Sequence, residues 1–400
     1  MSRLSAVARE ALPEDQRRFY DAVRALRRRP VSGPFIVTMN SSPDLAARIA
    51  HLGHYFHARG QADESILSLR VRAFIALIGS RALDAPYEWG AWVNWALEAG
   101  VPQETVDAIR QGRTPPNLTA EETLVSDFCT QLITGNHRVS ESTFKAPLER
   151  YGVQALVELV VTLGYFAMIA LPLNAFEIEM SAEQQGLRKP FAPLAVGMAI
   201  DRNPETSSLP SISDKRATPR VPLLAGHGDV QPEHQHFIDR IVRTRGWIAP
   251  VFQVLLHTPD VAERVANVGA FLLYEGALDF RTRALVGLIA ARDLDANYVW
   301  AACTGGAGAA NVDSALIDAV ERGRPLAVLS THDKALFDFC RALLRGNHHV
   351  RETTYQAAMA QFGLASTVQV SVLLGYFVMM ALIANAFDIP PHADVSQPAL

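Results

Sequence analysis

The stretch from Ala155 to Phe176 reads ALVELVVTLGYFAMIALPLNAF, and residues 366–387 read STVQVSVLLGYFVMMALIANAF. Each is close to the length of about 20 apolar residues that a membrane-spanning helix needs. The first, however, contains Glu158, Pro172 and Asn174, and the second Gln369 and Ser371. Neither has a strong charged flank on one side, so both are expected to be helices buried on most faces in a protein core. The match between them says more. Gly164-Tyr165-Phe166 returns as Gly375-Tyr376-Phe377 and Asn174-Ala175-Phe176 as Asn385-Ala386-Phe387, each 211 residues on.

The same offset runs outward through the chain. Tyr87-Glu88-Trp89 returns as Tyr298-Val299-Trp300, Phe128-Cys129 as Phe339-Cys340, and Gly135-Asn136-His137 as Gly346-Asn347-His348. Further upstream it drifts to 216, where SPDLAARIAHLG from Ser42 matches TPDVAERVANVG from Thr258. The first copy therefore carries a five-residue insertion near Arg59–Glu64. Residues 181–229, rich in Pro, Ser and charge, read as a linker. Two homologous repeats are expected, 1–180 and 230–390, followed by a tail, 391–400.

Within each repeat the periodicity is helical. DLAARIAHLGHYF has apolar residues at helical spacing behind Asp44, read as an N-cap. Arg70–Ile78 and Tyr87–Ala99 follow as helices. Gly100 stops the latter, and Pro102 restarts the chain into PQETVDAIRQG. EETLVSDFCTQLITG ends at Gly135, and Ser140 opens the next helix before the long apolar one. Strand alternation is absent, so the fold class is all-α.

Composition sets outer limits. With 49% hydrophobic and 20% charged residues, the chain has the make-up of an ordinary globular protein. Its 37 basic against 41 acidic residues leave −4, which gives no general case for nucleic-acid binding. The run Arg24–Arg29, RALRRR, reads as a solvated helix end. Three cysteines without CxxC or metal spacing suit a reducing cytoplasm and no disulfide framework. The amino terminus lacks the apolar core of a signal peptide. His51, His54 and His57 share a broad helix face, but Asn267, Ala270 and Leu273 stand at the matching places, so no metal site is expected.

These landmarks resemble the carboxymuconolactone decarboxylase and alkylhydroperoxidase-D-like superfamily. The likeness is carried by SPDLAARIAHLG, YEW followed by ALEAGVPQETVDAI, GNHRVSESTF and ELVVTLGYFAMIALPLNAFEI, and it covers nearly all of both repeats. It implies a compact helical subunit that oligomerises, here as a homo-oligomer with the two repeats packing as a pseudo-dimer. It also implies catalysis at three places: an acid after R-x-R, a CxxC or a Glu within YEW, and a histidine four residues later. At those places this chain has Ala73 and Ala284 for the acid, and Ala85 with Glu88 or Ala296 with Val299 for the Cys pair. Trp92 and Cys303 stand where the histidine would be. The CxxC peroxidase route is thereby excluded, and the usual Glu–His pair is incomplete.

Glu88, Trp92, Trp95 and Ala99 form one helix stripe whose counterparts are Val299, Cys303, Gly306 and Ala310. Asn94 and Leu97 likewise become Gly305 and Gly308 in YVWAACTGGAGAAN, 298–311. Truncation on that scale predicts a filled pocket in the first repeat and an emptied one in the second, open to a ligand. The catalytic candidates are Glu88, whose burial beside tryptophans would raise its pKa toward that of a useful base, and Cys303. Candidate substrate-binding residues are Tyr87, Trp92, Arg70, Arg72, Tyr298, Arg281, Arg283, Gly305, Gly306, His137 and His348, with the arginines suited to a carboxylate. For the arginines, interface salt bridges are the competing reading, and for His137 and His348 loop capping. The expected function is a cofactor-independent enzyme acting on a small organic acid, lactone or other enolisable compound, by decarboxylation, isomerisation or lactone opening. A small-molecule partner is expected, with no nucleic acid and no membrane. The alternatives are a non-catalytic ligand-binding or scaffold protein and, behind it, a redox partner of the alkylhydroperoxidase type.

Overall fold

Helices form because apolar residues recur at helical spacing between capping residues, and the caps set where each begins. The computed structural model describes residues 2–58, 65–180, 218–307, 311–322 and 329–391. Among the described residues there is no strand, and the chain is all-α. The first eight helices are α1 (Arg17–Arg27), α2 (Pro34–Met39), α3 (Pro43–His57), α4 (Leu69–Ala82), α5 (Pro86–Glu98), α6 (Gln103–Arg110), α7 (Ala120–Ile133) and α8 (Glu141–Ala175). A second series follows: α9 (Gln235–Arg245), α10 (Pro250–Leu255), α11 (Pro259–Ala270), α12 (Phe280–Asp293), α13 (Asn297–Ala307), α14 (Ser314–Glu321), α15 (Thr331–Leu344) and α16 (Glu352–Ala386). A single π turn, Phe271–Glu275, closes α11.

Several boundaries follow from the capping chemistry. The residue before α3 is Ser42, with Pro43 at the first helical position and Asp44 inside the first turn. Asp44 is thus not the N-cap: proline has no N–H to donate and takes N1, so the cap precedes it. Asp44 instead accepts from Arg48 one turn on, at 3.0 Å. Thr119 and Glu122 form a reciprocal capping box at α7, and the Ser140 hydroxyl accepts the Thr143 N–H at α8. The two 35-residue helices each break at a glycine of positive φ, Gly152 at 80° and Gly363 at 70°. Each therefore comprises a short polar segment and a long apolar one. The insertion placed near Arg59–Glu64 falls outside the described residues.

The apolar segments of α8 and α16 pack on each other more extensively than any other pair of helices. Both are long and apolar enough to cross a membrane, and the apolar stretch of each is wholly buried within this structure. Glu158, Asn174, Gln369 and Asn385 within them each have a partner. Asn174 donates to the Leu83 carbonyl and Asn385 to that of Leu294, both at 2.9 Å. The Glu158 carboxylate accepts the Tyr55 hydroxyl at 2.9 Å, as well as the Ser65 hydroxyl and the Ile66 and Leu67 N–H groups. Gln369 accepts the Ala277 N–H and donates to Ser42. A buried polar group left unbonded would cost roughly 1–3 kcal/mol, so these residues fix the position of the long helices.

Contacts between the two helix series come in reciprocal pairs. Arg48 donates to the Asn267 carbonyl at 3.1 Å, and Arg264 to that of His51 at 2.8 Å. Arg3 donates to the Ala175 and Val350 carbonyls, and Arg220 to those of Ala386 and Val139. Arg138 reaches the Asp295 carbonyl, and His349 that of Asp84. At the α8–α16 crossing a Cβ on Gly164 would press on Met379, and one on Gly375 would overlap the Met168 backbone. Of the stretch read as a linker, 181–217 lie outside the described residues. From 218 onward the chain lies against the helices through Arg220 and the Leu224–Gln253 backbone bond.

Candidate functional site

Three helices converge on a cavity of about 530 Å³ in the first series, a volume within the usual range for small-molecule sites. α5 begins at Pro86, which sends Tyr87 and Glu88 inward on its first turn. α3 contributes His57 from its last turn, and α8 contributes Tyr165 and Ile169. The segment after α1, Arg27 to Ile36, closes the remaining wall with Arg27, Arg29 and Ser32. Small residues make the convergence possible. A side chain at Gly53 would overlap the Tyr165 hydroxyl, and one at Gly90 would overlap Met180, which covers the cavity.

Glu88 is only 3% exposed and makes no hydrogen bond among the described residues. Burial pushes its carboxyl up to about 7, against the opposing pull of the Arg27 guanidinium. It is therefore divided between acid and base forms near neutrality. His57 has Nδ1 2.6 Å from the Gly53 carbonyl oxygen, which can only accept, so Nδ1 carries the proton and Nε2 is left as an acceptor. Burial, reinforced by Arg27, holds this imidazole well below its ordinary pKa and keeps it neutral. The Tyr165 hydroxyl is buried without a hydrogen-bond partner, and so is Nη1 of Arg27. Burial also raises Tyr165 far above the ordinary phenol range, so it serves only as a neutral O–H. Tyr87 is hydrogen-bonded to Ser32 and is likewise raised by burial. The result is a half-ionised carboxyl, a neutral imidazole acceptor, a free hydroxyl donor and guanidinium charge around one space.

The second series lacks this set. Val299 stands in place of the carboxylate, fully buried. Arg245, at the end of α9, turns inward and donates to the Tyr376 hydroxyl at 3.3 Å and the Ala266 carbonyl at 3.2 Å. Its guanidinium also lies 4.4 Å from the Phe252 ring. The corresponding tyrosine thus has a partner here, whereas Tyr165 has none.

Of the residues singled out from the sequence, Glu88 and Tyr87 come together at the cavity. Trp92 does not line it. It lies behind His57, with ring centres 5.1 Å apart, and packs edge-on to Trp95 and Phe166. Cys303 itself is buried, and its sulfur sits close against α12. A Cβ on Gly287 would overlap the Cys303 sulfur, so the thiol occupies the space left by the missing side chain on α12. Burial pushes the Cys303 thiol up to about 12, the reverse of an activated nucleophile. Gly305 is exposed; Gly306 belongs to α13, and its surroundings lie outside the described residues, as do Gly308 to Ala310.

The remaining candidates have structural partners. Arg70 pairs with Glu122 at 2.8 Å and donates to the Gly100 carbonyl, and Arg281 pairs with Asp333 at 2.9 Å. Arg72, fully buried, donates to the Phe56 and Ala58 carbonyls and so caps the end of α3. Arg283 lies 5.7 Å from the Phe280 ring, and Tyr298 is bonded to the Val251 backbone. His137 and His348 occupy turns of positive φ, where each bonds the carbonyl of a helix end, Leu132 and Leu343. None of these lines the cavity. Sequence reading missed His57, Arg27 and Tyr165 as site residues. His57 was passed over because its counterpart is Leu273, yet that asymmetry matches the loss of Glu88 at Val299. The Arg24–Arg29 run, read as a solvated end, turns back over the cavity at Arg28, with φ at 51°. Among the described residues no group of His, Cys, Asp and Glu is arranged to hold a metal ion. No protein-family model matches the chain, and the searches of curated proteins and of solved structures found nothing similar to it.

Proposed function

We propose that this chain is a cofactor-independent acid–base enzyme that moves a proton on a small, enolisable organic anion bound beside Glu88. The observation that carries the reading is a buried carboxyl, unbonded and poised near neutrality, facing an unpartnered hydroxyl and an unpartnered guanidinium nitrogen. Such groups sit unpaired in a cavity at a cost, and a substrate that bonds them removes that cost. In this reading the Glu88 carboxylate takes the proton from the carbon next to a carbonyl. The electron pair moves onto the carbonyl oxygen, which receives the Tyr165 O–H and the charge of Arg27. His57 Nε2 accepts a hydrogen bond from the substrate and keeps it oriented. Return of the proton to another carbon completes an isomerisation; where a carboxylate beta to the carbonyl leaves instead as carbon dioxide, its bonding electron pair forms the enolate and the acid form of Glu88 supplies the proton to carbon that completes a decarboxylation.

The resemblance to the carboxymuconolactone decarboxylase-like fold enters here as part of the proposal. The reciprocal contacts between matching positions support a duplicated subunit whose halves pack as a pseudo-dimer, since that is the pattern of an isologous interface. One half would keep an altered acid–base site, with His57 from α3 standing in for the histidine missing at Trp92, and the other would have closed.

The test needs no knowledge of the product. A panel of small oxo-acids, unsaturated acids and lactones is incubated with the protein in D2O, and loss of carbon-bound protons is followed by NMR. Exchange by the wild type that falls at least about a hundredfold in Glu88→Gln supports the reading, that being the usual contribution of a general base. Exchange unchanged by the substitution would remove Glu88 from the chemistry.

A further inference from the structure

A second space, about 250 Å³, adjoins the cavity that holds Glu88. Tyr87, Glu179 and Met180 line both, while Leu173, Ile178 and His349 line only the second. α8 shows how the two are arranged. Tyr165 and Ile169 line the first space and Leu173 the second, and residues four apart stack along one face of a helix. Each such step advances about 6 Å, so that face passes from the first space into the second over roughly 12 Å. Its character changes on the way. Tyr165 and His57, with ring centres 5.9 Å apart, mark a polar end, whereas Ile169 and then Leu173 offer only hydrocarbon. The polar groups of the second space are engaged by the protein: Asn174 with the Leu83 carbonyl, His349 with that of Asp84, and Glu177 with Arg3. Met180 stands between the spaces. It is buried, and its sulfur takes the place of the side chain that Gly90 lacks on α5. Tyr87 is held by its bond to Ser32 and by the close approach of Gly33 to its ring, and Glu179 is exposed. Met180 is thus the flexible, apolar part of the partition.

We infer that the substrate carries a hydrocarbon chain running from its reactive end beside Tyr165 past Ile169, and that Met180 sets the length of chain accepted. The inference rests on the acid–base reading for the reactive end, and it names the class of substrate: an oxo acid, or a related enolisable acid, with an alkyl chain. Desolvation decides between tails. A polar tail would lose its water against Ile169 and gain no partner there. A hydrocarbon tail instead releases water from an apolar wall, which is worth about fourfold in affinity for each methylene buried. That gain ends where the chain meets Met180.

Straight-chain 2-oxo acids from pyruvate to 2-oxodecanoate are the probes, titrated calorimetrically against wild type, Met180→Ala and Met180→Gln. Wild-type binding should tighten about fourfold per added carbon and then level off. Met180→Ala joins the two spaces, so the longest acid should bind at least tenfold tighter than it does to the wild type, with pyruvate changed less than twofold. Met180→Gln keeps the length of the side chain and puts an amide in the path. It should weaken the longest acid at least fivefold and spare pyruvate, and it decides the matter if Met180→Ala melts early. No binding, affinity independent of chain length, or a length profile that neither substitution moves overturns the inference, even if Glu88 proves to be the base. Binding is read without turnover, so a profile that shifts as described supports it even if proton exchange proves independent of Glu88. The failure of either reading is thereby told apart from the failure of the other.

Discussion

Replacing Glu88 with glutamine should change the stability of this protein in a way that depends on pH, and the dependence reports on the cavity. In the unfolded chain the carboxyl titrates at about 4.5, and in the folded protein at about 7, because burial penalises the charged form. The folded state therefore holds the proton more tightly. Its contribution is fully present below about pH 4.5 and is lost as pH rises through about 7. The difference between those two values corresponds to about 3 kcal/mol, all of it a cost at pH 8. Glutamine has the same shape and no charge, and Glu88 makes no hydrogen bond among the described residues for it to break. Glu88→Gln should thus melt near the wild type at pH 5 and above it at pH 8. The gap in unfolding free energy should widen by roughly 2–3 kcal/mol between the two, a shift of a few °C in a chain of this size. Scanning calorimetry or denaturant titration at both pH values reads it directly. A gap that stays constant with pH would refute the reasoning, since Glu88 would then ionise like a surface carboxylate and have no claim to be a base near neutrality.

Tyr165→Phe removes a buried hydroxyl that has no partner, so thermal melting should show stability unchanged or raised by up to about 1 kcal/mol. The same variant should exchange substrate protons more slowly, whereas a purely structural tyrosine would leave the NMR rate untouched. Gly287→Ala places a methyl against the Cys303 sulfur and the Phe377 ring and should destabilise by about 1–3 kcal/mol. Adding Cys303→Ala should recover part of that loss in a double-mutant cycle, and strict additivity would show that the two residues do not touch.

Much of the fold was legible in the chain because it is written in local terms. The helices of the first series start and stop within a few residues of where periodicity and capping residues place them, as at Gly100, Pro102 and Ser140. The one displaced cap, at Ser42, turned on proline's lack of an N–H. Glu158, Asn174 and Gln369, which argued against a membrane span, are the groups that bond α8 and α16 to their neighbours. Glu88 was found through the resemblance carried by its YEW motif and through its place at the start of a helix. What spacing did not reveal was its company. His57 lies thirty-one positions earlier on a different helix, and Arg27 sits in a run that looks like any solvated helix end.

The emptied pocket is the instructive case. Replacing bulky side chains by Cys and Gly was expected to open space beside Cys303, and the spacing alone could not say which neighbour the thiol would meet. On one side that neighbour is Gly287 of α12, whose missing side chain leaves room for the sulfur, while in the first series Tyr165, Glu88 and the Arg27–Arg29 segment line a cavity. The sequence by itself determined that the chain is helical, where its helices lie and that one carboxylate stands at the head of α5, because these depend on neighbours a few residues apart. Only the tertiary structure decided that Glu88 shares a cavity with His57, Tyr165 and Arg27, and which arginine bonds the tyrosine of its own half, Arg245 and not Arg27. Those outcomes depend on how closely whole helices can pack and on where a buried charge finds a partner, and neither is encoded in any single stretch.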